Sequence, residues 1–186
     1  MVNIDIKPWL TAINRTSISS PLKKILDANE ITNTDLILDY GCGHGFDLNF
    51  LKEKSYNITG YDKYIHKHSD LKYKEYLYDK IICFYVLNTI AEKEERLSVI
   101  EHLLSLLKQN VSIYIAVRSI EELNSMKNKK HITYNDGLVT SRKTFQKYFS
   151  KEDVANLLKN IENINFTYIK FDKKTLLFKI TKKGLD

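Results

Sequence analysis

Residues 36–45 read LILDYGCGHG, an apolar run closed by an acid and followed by glycine at every second position. Leu36, Ile37 and Leu38 form the short apolar stretch of a buried parallel strand, and the helical pattern that follows is the one a crossover helix would show. Gly41, Gly43 and Gly45 therefore fall at the carboxyl end of a strand, where open α/β sheets bind ligands and where bare amides can meet one closely. A tight turn alone would need one glycine, whereas this stretch takes three of the chain's six.

Working outward, ISSPLKKILDANE (18–30) predicts a leading helix with Ser20 as N-cap, Pro21 at the first helical position and Leu22, Ile25 and Leu26 on one face. Downstream, Leu48 and Leu51 mark a helix to about residue 55, and NITGYD (57–62) a strand ending in Asp62. A strand is predicted over 80–86, a helix over about 92–108 and a strand over 111–117. Residues 119–149 give no firm reading. Ser150 with Asp153 forms an N-terminal capping pair for a helix to Ile161, and NFTYIKF and TLLFKIT are strands joined by a turn at 172–174. The alternation predicts an α/β fold, a Rossmann-like, mostly parallel, doubly wound sheet with an antiparallel C-terminal edge hairpin. Only sixteen residues separate Asp62 from Asp79, so the third strand of such a sheet must be short or missing.

The 186 residues suit one domain, with a leading segment (1–34), a ligand-binding half (35–118) and a final third (119–186). The longest apolar run, 81–87, is too short to cross a bilayer, and the amino terminus shows no apolar leader, which predicts a cytoplasmic protein with no membrane partner. Cys42 and Cys83 give neither a disulfide framework nor a zinc site, and His66 and His68, two apart, read as surface residues rather than a metal pair, so no metal is expected. Residues 1–118 hold 15 Lys/Arg and 15 Asp/Glu, while 119–186 hold 14 and 8, so the net +6 belongs to the last third. That asymmetry suits a nucleic-acid partner contacting 119–186, Lys127, Lys129 and Lys130 included, although a basic surface also serves solubility.

The nicotinamide and flavin fingerprint G-x-G-x-x-G would place its third glycine at Phe46. The pattern here, D-x-G-x-G-x-G from Asp39, instead resembles motif I of class I S-adenosylmethionine (SAM) methyltransferases. The resemblance implies SAM as cofactor and S-adenosylhomocysteine (SAH) as product, with Asp39, Tyr40, Gly41, Cys42, Gly43, Gly45, Asp62, Lys63, Val86 and Leu87 at the cofactor, and Asp62 accepting from both ribose hydroxyls. YDKIICFYVLNTI (78–90) resembles the fourth strand and following loop of that fold, which makes Tyr85 and Asn88 the first candidates beside the transferred methyl; Tyr85 fits a core aromatic equally well. Asp70 stands where an adenine-contacting acid would fall.

RTSISSPLKKIL (15–26), residues 37–62, YVLNTI (85–90) and NDGLVTSRKTFQKYFS (135–150) together resemble the methyltransferases associated with DNA phosphorothioation. The resemblance implies a role in nucleic-acid modification. In the last run Phe145, Tyr148 and Phe149 are expected to pack and Ser150 to cap, while Arg142, Thr144 and Gln146, alternating along an extended segment, would share a face toward the substrate or belong to a surface strand. The loop after the fourth strand lacks the [DNS]-P-P-[YFW] that orients a base amine, and no Pro-Cys nucleophile is present. Two other readings remain: a small-molecule methyltransferase whose first twenty residues, Trp9 among them, cover the cleft, and a SAM-binding module without turnover that acts through a protein partner.

Overall fold

The computed structural model describes residues 4–125 and 131–184. Helix α1 (Ser20–Asp27) starts one residue earlier than its sequence suggests: Ser19, not Ser20, is the cap, its hydroxyl accepting from the Leu22 amide, because Pro21 suits the second helical position as well as the first. Strand β1 (Leu36–Tyr40), helix α2 (Phe46–Glu53) and strand β2 (Asn57–Tyr61) follow as predicted. Between Tyr61 and Tyr78 there is no strand. The segment forms two 3-10 turns, His66–His68 and Leu71–Glu75, and the aromatic rings of Tyr40, Tyr61 and Tyr73 stack beside β2, the Tyr61 and Tyr73 centroids 4.2 Å apart.

Strand β3 (Tyr78–Phe84) ends two residues before the expected limit at Val86, because Tyr85 turns into the left-handed region at φ +61°. A 3-10 turn, Leu87–Thr89, leads to helix α3 (Lys93–Ser105) and the long strand β4 (Leu107–Arg118). Helix α4 (Ile120–Ser125) precedes a small antiparallel sheet of β5 (Ile132–Tyr134), β6 (Gly137–Val139) and β7 (Phe145–Gln146). Helix α5 (Lys151–Leu158) carries the predicted box, with Ser150 and Asp153 each accepting from the other's amide. Strands β8 (Ile164–Ile169) and β9 (Thr175–Lys182) close the chain as a hairpin.

The main sheet runs β2-β1-β3-β4-β9-β8, parallel from β2 to β4 and antiparallel across β4-β9-β8. Its core lies on both faces: Ile81, Ile100, Leu103, Ile113, Phe149 and Phe178 on one, Leu22, Ile25, Ile37, Leu48 and Tyr114 on the other. Because β1 is followed by β2 on one side and flanked by β3 on the other, a crevice opens at the carboxyl ends of these strands, where doubly wound sheets place their ligands. No helix among the described residues is long and apolar enough to cross a membrane.

Candidate active site

A cleft of about 490 Å³ occupies that crevice. Its floor is the glycine loop. Gly41 takes φ +79°, and a Cβ there would sit 2.2 Å from a Val86 methyl; Gly45 takes φ +82°, with the His68 ring on the side a Cβ would fill. Both positions need glycine, for strain and for space. The Gly41 and Cys42 amides both donate to the Tyr61 carbonyl, at 2.7 and 3.1 Å, fixing the loop against the end of β2.

Three carboxylates surround the loop. Asp39, 5% exposed, is held well above the usual carboxylate range by burial first and by Asp47 and Asp62 next, with Arg15 opposing. Asp47, in the first turn of α2, accepts from the Ser19 amide at 2.8 Å. Asp62 accepts from the Gly43 amide on one oxygen (2.9 Å) and from the Tyr64 and Ile65 amides on the other (2.9 and 3.2 Å). Its first use is therefore to bind two loops together, which leaves it fewer lone pairs than the sequence reading supposed for ribose. A buried acid among acids, beside bare backbone, is a site shaped for a cation.

Tyr85 and Asn88 stand on the wall formed by the loop after β3. The Tyr85 hydroxyl pairs with Thr175 Oγ1 at 3.1 Å and the Arg15 guanidinium lies over its ring at 5.7 Å. Burial raises the phenol above its ordinary range against the Thr175 bond and Arg15, so it is a hydrogen-bonding group and not a base. Burial likewise raises the Cys42 thiol, with Asp39 and Asp62 adding to it, which removes Cys42 as a nucleophile. Asn88 is 1% exposed and donates through Nδ2 to Gln146 Oε1 at 3.0 Å.

The roof is the amino-terminal strap. Pro8, Trp9, Ala12, Ile13 and Arg15 line the cleft, Ala12 lies over Gly43, and the Lys7 amide donates to the Lys143 carbonyl at 2.8 Å. Trp9 and Ile13 are each about half exposed, 50% and 53%, so they present apolar surface without belonging to the core.

Of the residues singled out from sequence, Asp39, Tyr40, Gly41, Cys42, Gly43, Gly45, Asp62, Lys63, Tyr85, Val86, Asn88 and Gln146 line this one cleft. Leu87 does not: its side chain is fully buried in the core, since the 3-10 turn points it away from the loop. Arg142 and Thr144 also miss the cleft. The segment is a turn there and not a strand, so Arg142 is exposed, while Thr144 is buried and closes the turn by pairing with Thr140 at 2.7 Å. Asp70 is exposed and caps the Leu71–Glu75 turn through the Lys72 amide, away from the cleft. His68, expected on the surface, is half buried against the glycine loop, while His66 is exposed. Lys127, Lys129 and Lys130 lie outside the described residues. Sequence reasoning missed Arg15, Asp172, Lys174 and Thr175, which line the cleft from the strap and from the β8–β9 turn, because nothing in a hairpin turn's composition tells which sheet end it faces.

The family described as "Methyltransferase domain" matches residues 10–170. None of the curated proteins matches the chain in sequence. Among solved structures, a SAM-dependent methyltransferase from Clostridium acetobutylicum superposes with a TM-score of 0.64 at 13% identity, covering 91% of this chain and 94% of that one. The 1,6-didemethyltoxoflavin-N1-methyltransferase of Burkholderia thailandensis, with 1,6-didemethyltoxoflavin and SAH bound, gives 0.62 at 14% identity over 89% and 78%. A SAM-dependent methyltransferase from Methanosarcina mazei gives 0.61 at 18% identity over 87% and 98%. At these identities the likeness is one of fold.

Proposed function

The chain belongs to the methyltransferase-domain family, and on that premise we propose that it methylates a small-molecule acceptor held in the roofed cleft, with SAM as cofactor. The observation that carries the small-molecule reading is the strap: Pro8 to Arg15 crosses the glycine loop, tied to the 140–144 turn through Lys7, and leaves a covered cleft of a size usual for small ligands. The residues fit the cofactor. Gly41, Gly43 and Gly45, all at positive φ, keep the cleft floor bare of side chains at those positions, and Asp39 lies desolvated with no salt bridge among the described residues.

Bound there, SAM supplies an electrophilic methyl carbon, whose bond to sulfur breaks with its electron pair returning to sulfur as a lone pair of the acceptor forms the new bond. The chain's part is placement. Asp39 balances the positive charge of the cofactor's methionine end, the glycine amides admit close approach, and Asp62 holds the loop that frames them. Tyr85 and Asn88 form the wall at which the acceptor rests, and the strap covers it. An acceptor proton, where there is one, leaves to solvent, since Tyr85 and Cys42 are both held protonated.

A second reading, methylation of nucleic acid or of a modified nucleic acid, is favoured by the surplus of six positive charges in residues 119–186 and by the likeness of 135–150 to the phosphorothioation-associated methyltransferases. Transfer of tritiated methyl from SAM to separate pools of small metabolites, DNA with and without phosphorothioate linkages, transfer RNA and protein decides between them. Label in the metabolite pool alone is expected; label confined to a nucleic-acid pool, weakening steeply with salt, would replace the first reading by the second. Asp62→Ala should lower SAH affinity at least tenfold by calorimetry and serve as the blank. Cofactor binding with no labelled pool would leave a SAM-binding module working through a protein partner.

A further inference from the structure

Asn88 and Gln146, 58 residues apart, meet on the wall of the cleft. Asn88 comes from the 3-10 turn after β3 and Gln146 from β7 of the small sheet. Their amides share the Nδ2 to Oε1 bond, yet Asn88 Oδ1 is buried and has no partner among the described residues. An unpaired buried amide oxygen is costly, and folded chains retain few of them. This one is also rigid. The Asn88 carbonyl accepts from the Lys147 amide at 2.8 Å, the Thr89 amide donates to the Val86 carbonyl at 2.9 Å, and the buried Arg96 holds the Ile90 carbonyl at 2.9 Å.

Two primary amides that face one another spend one carbonyl oxygen and one N–H. Whichever way round they are set, the pair still offers one carbonyl oxygen and an NH2 group. We infer that the Asn88–Gln146 pair reads the methyl acceptor, and that the acceptor presents an N–H beside a C=O, the edge of a lactam, ureide or carboxamide on a planar heterocycle. The inference rests on the SAM-dependent reading above and names its substrate class. A carboxylate or phosphate would set two acceptors against the Asn88 oxygen. A primary amine, protonated at neutral pH, could satisfy that oxygen but would leave the NH2 facing nothing, and a site built of buried polar groups discriminates strongly against a ligand that leaves one unpaired. Free heterocycles and nucleic-acid bases both carry such an edge.

The test uses the whole chain, first with SAH by calorimetry and then with tritiated-methyl SAM and five probes: lumazine, uracil and nicotinamide, which carry the edge, and benzoate and phenethylamine, which do not. Poly(U) beside uracil separates the polymeric source from the free one. Methylation within the first set, or of poly(U), is expected. Gln146→Ala and Asn88→Asp should each raise the KM of that acceptor at least tenfold while the KM for SAM stays within twofold, a split that loss of folding would not produce. Should Asn88→Asp fail to fold, the half-exposed Gln146 still decides the matter. Transfer only to benzoate or phenethylamine, no transfer to any edge-bearing probe, or an unchanged acceptor KM in Gln146→Ala overturns the inference. Failure of the wild-type chain to bind SAH overturns the cofactor reading beneath it, and the inference with it.

Discussion

Asp39 carries the most consequential charge in the cleft. Burial, then the neighbouring Asp47 and Asp62, raise its carboxyl above the ordinary 3.8. Between pH 4 and that raised value the native chain keeps a proton the unfolded chain has lost, so this group makes stability fall as pH rises through the window. A cationic ligand prefers the ionised form, so its binding expels the proton and strengthens over the same window. Calorimetry of SAH in buffers of differing ionisation enthalpy should record proton release within that window and affinity rising with pH. In Asp39→Asn both effects should vanish, with affinity at neutral pH at least tenfold lower; unchanged affinity and an unchanged pH profile would remove Asp39 from the site. At this scale the sequence was readable where backbone chemistry dictates residue type, as at Gly41, whose missing side chain makes room for Val86. It singled out Tyr85 but was silent on the backbone of this bulky residue, held at positive φ by the hydrogen bond from its amide to the Ala116 carbonyl and by its hydroxyl bond to Thr175.

The elements around the cleft are joined by a charged network that no local pattern announces. Arg96 of α3, 1% exposed, pairs with Asp136 in the β5–β6 turn, and Lys147 reaches both Asp136 (3.2 Å) and Asp153 of α5 (3.3 Å). Burial alone would raise Asp136, but Arg96 and then Lys147 overcome it and hold the carboxyl below its ordinary range. The stabilisation is complete above pH about 4 and is lost as pH falls through the lowered native value. Asp136→Ala should cost about 2 kcal/mol, less than the full penalty of a wholly buried pair because Asp136 is itself part exposed, and should flatten the acid limb of a Tm-against-pH curve. An acid limb as steep as that of the wild type would dismiss the network. Helices and strands with strong periods, β1, α2 and the β8–β9 hairpin, were legible because each satisfies its own hydrogen bonds and presents one apolar face. Residues 131–149 were not, since short strands at 132–134, 137–139 and 145–146 depend on Arg96 and Asn88 for their place, contacts 40 and 58 residues away. That is why Arg142 and Thr144, assigned to one face of an extended segment, turned out to belong to its turn.

Across the whole molecule, the sheet lacks the strand and helix that would extend it beyond β2, and a Tyr40–Tyr61–Tyr73 stack takes their place; the short spacing between Asp62 and Asp79 was enough to foresee the gap but not the aromatic filling. The charge division along the chain says little about the cleft, whose floor is acidic and whose roof is apolar but for Arg15. The strap, lastly, sets a sequence of events. Ala12 lies directly over Gly43, and the strap's tie at Lys143 belongs to the same turn that leads into Gln146, so the glycine loop is the deeper seat and the acceptor wall the outer one. Whatever rests on the glycines must enter before the acceptor and depart after the product. Turnover should therefore follow a compulsory order, with SAH competing against SAM and acting as a mixed inhibitor toward the acceptor. A dead-end acceptor analogue should then inhibit uncompetitively against SAM; non-competitive inhibition against SAM would show that the two seats fill independently.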